Sequence, residues 1–448
     1  MESTGLRNDI QLNKLQRQTF DFFWNEVNPV NGLAADRTAY DWPAGIAATG
    51  LALTCYPIAV ERGFISRELA AERTLATLGF FLTSRHGPEP EATGYHGFYY
   101  KYLDMKKGRR ARMSEISIFD SSILFAGALT AALYFDHDNG TEVEIRDSAE
   151  ELYRRADWRW TMNNSNIVLH GWKPEKGFIN CGWKGYDEAM LLYILGLGSP
   201  TSPLPPESFK EWTANYEWIS FYGYDYLYAA PLFIHQLPQV WIDFRGIKDD
   251  YMDKHDSDYF GNSVRASLVQ YRYATENPMN FEGYGSHFWG VTLSDGPGPS
   301  LVNIKGTDRE FFGHMRRGVP FGPDDGTISP WAMIASLPFV PELVLPAIDY
   351  MLHEADMNIL NSYGFRSAFN PTFSHKPHNP HGWRSPLHYA INQGPAMAMI
   401  ENYRTGFVWD LLRRSPFIIN GLVKAGFTGG WLSELNVVQS EFQHNQAH

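Results

Sequence analysis

Two carboxylates stand where a helix begins in otherwise apolar sequence. Asp120 lies in Ile118-Phe119-Asp120-Ser121-Ser122-Ile123-Leu124, and Glu188 in Tyr186-Asp187-Glu188-Ala189-Met190. A carboxylate there can cap the helix by accepting from its free N–H groups. Alternatively it can face a cleft as a poorly solvated acid with a raised pKa. Ser121, Ser122 and Asp187 can take over the capping, which leaves Asp120 and Glu188 as the candidate catalytic pair. Asp187, Asp243 and Glu282 are reserve carboxylates in similar aromatic or glycine-rich settings. Asp243 with Arg245 also reads as an ion pair, and Asp295, Asp324 and Asp325 read as turn residues before glycine.

Paired carboxyls of this kind suit glycosidic bond cleavage. One, neutral, protonates the leaving oxygen; the other acts as base or nucleophile. Sugars also need rings under their C–H faces and fixed polar partners for their hydroxyls. Loops that interleave both types supply the binding candidates Tyr222, His235, Gln236, Arg245, His287, Trp289, Asn392, Gln393 and Arg404.

Other chemistries lack their motifs. The chain contains no P-loop, no Gly-x-Ser-x-Gly elbow and no His-Glu-x-x-His. Asp136-x-Asp138-x-Gly140 approaches a calcium loop, but its glycine arrives one step early. His375, His378 and His381 recur every third residue and read as exposed loop histidines. No metal and no cofactor is expected.

The elements that must position these residues are mostly helical. Apolar residues recur at helical spacing around 12–27, 47–61, 69–82, 119–135, 142–161, 187–197, 227–241, 248–276, 330–336, 341–356 and 393–425. Segments such as Phe125 to Leu133 and Ala189 to Leu197 are apolar nearly all round, so they are buried on most sides. They alternate with helices that keep one wet face, a pattern that fits two concentric rings. Long loops at 85–117, 163–186, 198–226, 278–329 and 358–392 join them, with room for short strands. No linker or short repeat divides the chain, so residues 1–448 read as a single domain.

Composition narrows the partners. The 448 residues include 14 Trp, 24 Tyr and 29 Phe, and only 20% are charged. That apolar content opposes disorder. A net charge of −12 opposes a nucleic-acid partner. No run of about 18 apolar residues is long enough to span a membrane as a helix. The polar start Met1 to Ile10 lacks a signal-peptide core, which predicts a cytoplasmic protein, or a periplasmic one if an export segment was removed. Cys55 and Cys181 both read as buried packing residues.

Several runs together resemble the bacterial glucoamylase-like proteins that include endo-β-1,2-glucanases, glycoside hydrolase family 144. They include Gln18 to Trp24, Gly32 to Arg37, Val60 to Arg67, Tyr186 to Tyr193, Trp241 to Gly246, Ser294 to Gly298, Gly322 to Thr327, Ile400 to Arg404 and Gly426 to Trp431. The resemblance implies an all-α (α/α)6 barrel that cleaves linear or cyclic β-1,2-glucan to sophorose-type oligosaccharides. It places Glu188 at the family's general-acid candidate, with an inverting outcome expected. Asp120 falls where some members carry Glu and would orient the water or the sugar. The alternatives are a retaining transglycosylase, an exo-acting or other-linkage β-glucan hydrolase, and a non-catalytic glucan-binding protein.

Overall fold

The computed structural model describes residues 2–355, 358–373 and 381–434. Fifteen helices have both ends among them. They are α1 Glu2–Asn25, α2 Ile46–Glu61, α3 Arg67–Thr83, α4 Ile118–Tyr134, α5 Gly140–Arg154, α6 Met190–Gly198, α7 Pro206–Thr213, α8 Phe233–Gln236, α9 Asp250–Lys254, α10 Tyr259–Glu276, α11 Pro330–Ala335, α12 Pro341–His353, α13 Ala390–Thr405, α14 Phe407–Leu412 and α15 Pro416–Lys424.

The helices sort by how much of their surface is covered. Every residue of α2 from Ile46 to Ala59 is buried, as is every residue of α6 and α11. By contrast α5 buries one stripe, Ile145, Ser148, Ala149, Leu152 and Tyr153, and is started by Asn139, whose side chain accepts from Glu142 N at 3.0 Å. In space the buried helices succeed one another. The order runs α11 on α13, α13 on α2, α2 on α4 and α4 on α6, while Gln236 of α8 donates to Ala332 O and Ser336 Oγ at the end of α11. Half-exposed helices pack behind them, with α1 on α13, α3 on α2, α5 on α4 and α15 on α6.

Two crossings depend on the absence of a side chain. A Cβ on Gly127 of α4 would lie 2.0 Å from the carbonyl oxygen of Gly50 in α2. A Cβ on Gly421 of α15 would lie 2.0 Å from that of Ile194 in α6. One hydrophobic cluster runs through the described residues from Leu12 to Leu432.

Strands are short and sit in the loops. Two pairings run directly into a helix: Ala44–Gly45 with Tyr102–Leu103 leads into α2, and Ile116–Ser117 with Gly171–Lys173 leads into α4. A third joins Leu293–Ser294 to Met315–Arg316. A single bridge also joins Arg37 to Tyr389.

Local chemistry moves some boundaries away from the sequence expectation. The segment 227–241 forms only α8 and a 3-10 turn, Pro238–Val240, because Pro231 and Pro238 interrupt it. The segment 248–276 divides at Asp258, which caps α10 by accepting from Gly261 N. The segment 393–425 becomes three helices, broken by Gly406 at φ +73° and restarted by Pro416. Helix α7, started by Pro206, occupies a stretch that reads as loop. Cys55 is buried as expected, but Cys181, in the loop ahead of α6, is exposed.

Candidate active site

Five of the buried helices turn their N-terminal ends toward one cavity of ≈ 260 Å³. Ala47 and Ala48 of α2, Phe119 and Asp120 of α4, Glu188 just ahead of α6, Phe233 of α8, and Ala390 and Ile391 of α13 all line it. The loops close the rest of the wall, each delivered by a strand pairing. The Ala44–Gly45 pairing carries Lys101 and Tyr102 beside the start of α2. The Ile116–Ser117 pairing brings Glu115 next to His170 and Trp183. The Leu293–Ser294 pairing holds His314 and Arg316 over the cavity, and the Arg37 bridge adds Asp36, Arg37 and Tyr389.

Glu188 is 2% exposed. Burial drives its pKa upward, opposed by the Arg316 guanidinium and supported by the charge of Asp120. Arg316 donates from Nη2 to Glu188 Oε1, while Oε2 is buried and has no hydrogen-bond partner among the described residues. Asp120 is half-buried, and Ser117 Oγ both bonds its Oδ2 and accepts from its N–H. Ser117 is therefore the cap of α4, which leaves the carboxylate of Asp120 at the cavity wall. Lys101 faces it, and the Asp120 charge is the main cause of a raised Lys101 pKa.

Asp187 does not share this cavity. It accepts from Ala189 N and Trp212 Nε1, both at 3.0 Å, on the side away from the cleft. Burial and the Glu188 charge lift its pKa to about 7.

Aromatic faces flank the carboxylates. His170 stacks on Trp183 at 4.0 Å, with Phe119 beyond at 5.6 Å. Across the cavity His314 stacks on Tyr389 at 5.0 Å, and Arg37 covers the rings of Trp42 and Tyr389 at 4.2 and 4.4 Å. Such rings can support apolar sugar faces, and the charged groups between them can take hydroxyls.

The other sequence candidates lie elsewhere. Asp243 is buried between Arg245 and Arg413, the ion pair that its spacing suggested, and Arg245 also covers Trp409 at 4.4 Å. Glu282 is exposed and pairs with Lys305 at 2.6 Å. Tyr222 sits in the turn of the hairpin Trp218–Phe221 and Tyr224–Leu227. His235 is buried on α8 between Ala229 O at 3.1 Å and Asn262 at 3.3 Å, and burial depresses its pKa to about 4. Gln236 ties α8 to α11. His287 stacks on Tyr350 at 4.2 Å, and Trp289 is fully buried. Asn392 and Gln393 start α13 but face a separate cavity of ≈ 10 Å³, where Gln393 bonds Tyr363 O and His388. Arg404 is at the far end of α13, bonded to Gln16 and Asp9. These polar groups tie elements together, a role that residue type alone does not separate from ligand binding.

Asp136 and Asp138 pair with Arg67 and Arg146, at 3.2 and 3.9 Å. Among the described residues no group of three metal-ligating side chains is present, and His375 and His378 lie outside them. No helix among the described residues is long and apolar enough to cross a membrane.

Sequence reasoning did not select Asp36, Lys101, Glu115, His170, Trp183, His314 or Arg316 for the site. For all but Asp36, the available signal was their place in the long aromatic loops that run up to the N-terminal ends of buried helices.

Comparisons with known proteins agree with one another. A family model described as "Putative glucoamylase" matches residues 180–416, more than half of the chain. The solved structure of a protein described as a putative glucoamylase from Bacteroides uniformis is 32% identical, with a TM-score of 0.83, covering 95% of this chain and 98% of that one. An endo-β-1,2-glucanase from Chitinophaga pinensis, solved with sophorotriose and glucose, is 27% identical with a TM-score of 0.82, covering 95% and 99%. An exo β-1,2-glucooligosaccharide sophorohydrolase (non-reducing end) of Parabacteroides distasonis is 27% identical over 92% of this chain, which spans 57% of the relative's length.

Proposed function

The chain belongs to the family described as putative glucoamylase, and from that premise we propose that it is a glycoside hydrolase of β-1,2-linked glucan. The observation that carries the reading is Glu188: a buried carboxyl with a raised pKa, at the wall of a cavity that also holds Asp120 between aromatic faces. The relatives named as β-1,2-glucan hydrolases supply the linkage.

In this reading Glu188, protonated, gives its proton to the departing glycosidic oxygen as the C1–O bond breaks. Water adds to C1 and gives up one proton to solvent, and Asp120 orients that water or the sugar that receives it, for an inverting outcome. His170 and His314, the outer rings of the stacks on Trp183 and Tyr389, support sugar faces on either side. The order of buried and half-exposed helices supports an (α/α)6 barrel, and the shared core supports one domain.

The test is incubation of the full chain with linear β-1,2-, β-1,3- and β-1,4-glucans and with cyclic β-1,2-glucan, followed by product sizing. Only the β-1,2 substrates are expected to shorten. Products longer than the substrate would instead support transglycosylation. Binding without new reducing ends would support a glucan-binding protein.

A further inference from the structure

The contact between Arg316 and Glu188 sets a problem for the proposed chemistry. A general acid must carry a proton when the glycosidic oxygen reaches it. Yet in the unliganded cavity a guanidinium occupies Oε1, which favours the ionised carboxylate.

The two partners differ in how firmly they are held. The Glu188 side chain is 2% exposed, whereas that of Arg316 is 51% exposed. Arg316 ends a two-residue strand, and its guanidinium lies 5.8 Å from the centre of the Phe233 ring. Its neighbour Arg317 is the opposite case. Arg317 is fully buried and bonded to Asp325 and to the carbonyls of Ser294, Phe312 and Gly313. The backbone is thus clamped at Arg317, while the Arg316 side chain can swing into solvent without disturbing the loop.

We propose, resting on the hydrolase reading, that Arg316 is a positioning residue that the entering glycan displaces, and that its departure lets Glu188 take up the catalytic proton. In the free enzyme the paired Arg316 opposes the upward push of burial and favours the carboxylate form of Glu188. Sugar entering the cleft excludes water and takes the place of the guanidinium at Oε1. Glu188 then faces Asp120 and Lys101 across the cavity, with Asp187 behind it. Burial and the Asp120 charge outweigh Lys101, and a proton from solvent binds to the Glu188 carboxylate. That proton leaves again with the glycosidic oxygen. The water that adds to C1 returns one proton to solvent, and the carboxylate is re-paired with Arg316 when product departs, so the cycle balances.

The test is the pH dependence of hydrolysis of linear β-1,2-glucan. The kcat/KM profile reports the free enzyme and the kcat profile reports the complex. For wild type, the high-pH limb of kcat/KM is expected to fall about one to three pH units below that of kcat. In Arg316→Gln the kcat/KM limb moves up to meet the kcat limb, which stays in place. Arg316→Lys, which keeps the charge, restores the separation. Hydrolysis with coincident limbs in wild type, or limbs unmoved by Arg316→Gln, overturns the inference and leaves the hydrolase reading standing. Absence of both hydrolysis and binding overturns the hydrolase reading and this inference with it.

Discussion

Asp187 and Glu188 are consecutive, yet their carboxyl groups serve opposite sides of the same turn. Asp187 is held by Trp212 Nε1 and Ala189 N, and Glu188 meets Arg316 in the cavity. One residue secures the start of α6, and so the other is free to face the cleft. The chain reaches this arrangement without a helical cap from Glu188 itself.

Glu188→Gln is expected to lower kcat on β-1,2-glucan by about 10²- to 10⁴-fold, the range carried by a general acid. The fold should not suffer. Glutamine removes a charge that burial disfavours, and the half-exposed Arg316 can rejoin solvent. Thermal unfolding at pH 7 should therefore show a Tm equal to or above that of wild type. A variant with full activity would remove Glu188 from the acid role.

Asp187 predicts a pH dependence of stability. Its folded pKa is about 7 against an ordinary 3.8, so the folded chain retains a proton that the unfolded chain releases. Its contribution is fully present below about 3.8 and is lost as pH rises to about 7. Asp187→Asn keeps an oxygen for Trp212 and Ala189 but cannot ionise. The difference in Tm between wild type and Asp187→Asn should widen in the variant's favour across that interval. A constant difference would contradict the raised pKa.

Asp243→Ala should cost stability and leave the chemistry alone. It removes the shared partner of Arg245 and Arg413 from a fully buried position. Breaking a buried pair costs about 3–5 kcal/mol, and the partial exposure of both arginines places this case near about 3. Urea unfolding measures the loss. The specific activity of the folded fraction is expected to match wild type, because Asp243 lies outside the cavity.

Gly127→Ala inserts a methyl group 2.0 Å from Gly50 O, where only backbone can yield. Overpacking of this kind costs about 1–3 kcal/mol, and more where backbone must separate. Asp120 lies at the start of the same helix, so kcat should fall together with Tm. Gly177→Ala, with open space around its Cβ but a φ of +74°, should cost stability through strain alone and spare kcat.

Much of the fold was legible because helical period reports burial directly. The apolar runs at 47–61 and 119–135 could be buried only on most sides, and α2 and α4 occupy them. Asp120 and Glu188 were legible for a related reason: each is an acid at the edge of such a run. Arg316 was not, because its place depends on Leu293–Ser294 pairing with Met315–Arg316 across a long loop. Lys101 and Glu115 depend likewise on strand partners far away in sequence. His235, Gln236 and Gln393 have the composition of ligand-binding groups but spend their hydrogen bonds on neighbouring backbone. Whether a buried polar group meets a sugar or a carbonyl is decided by packing, which a local pattern does not contain.

The convergence of helix starts on one cavity has an electrostatic consequence. Each helix of ordinary length places roughly half a positive charge at its N-terminal end. The ends of α2, α4, α6 and α13 therefore add roughly two positive charges to Arg37, Lys101 and Arg316. A glycosyl group losing its leaving oxygen becomes positive at its reacting carbon. Without opposition, the backbone itself would repel that charge. Asp36, Glu115 and Asp120 thus do more than bind: together they offset much of a positive field that the helices impose and that no side-chain substitution can remove.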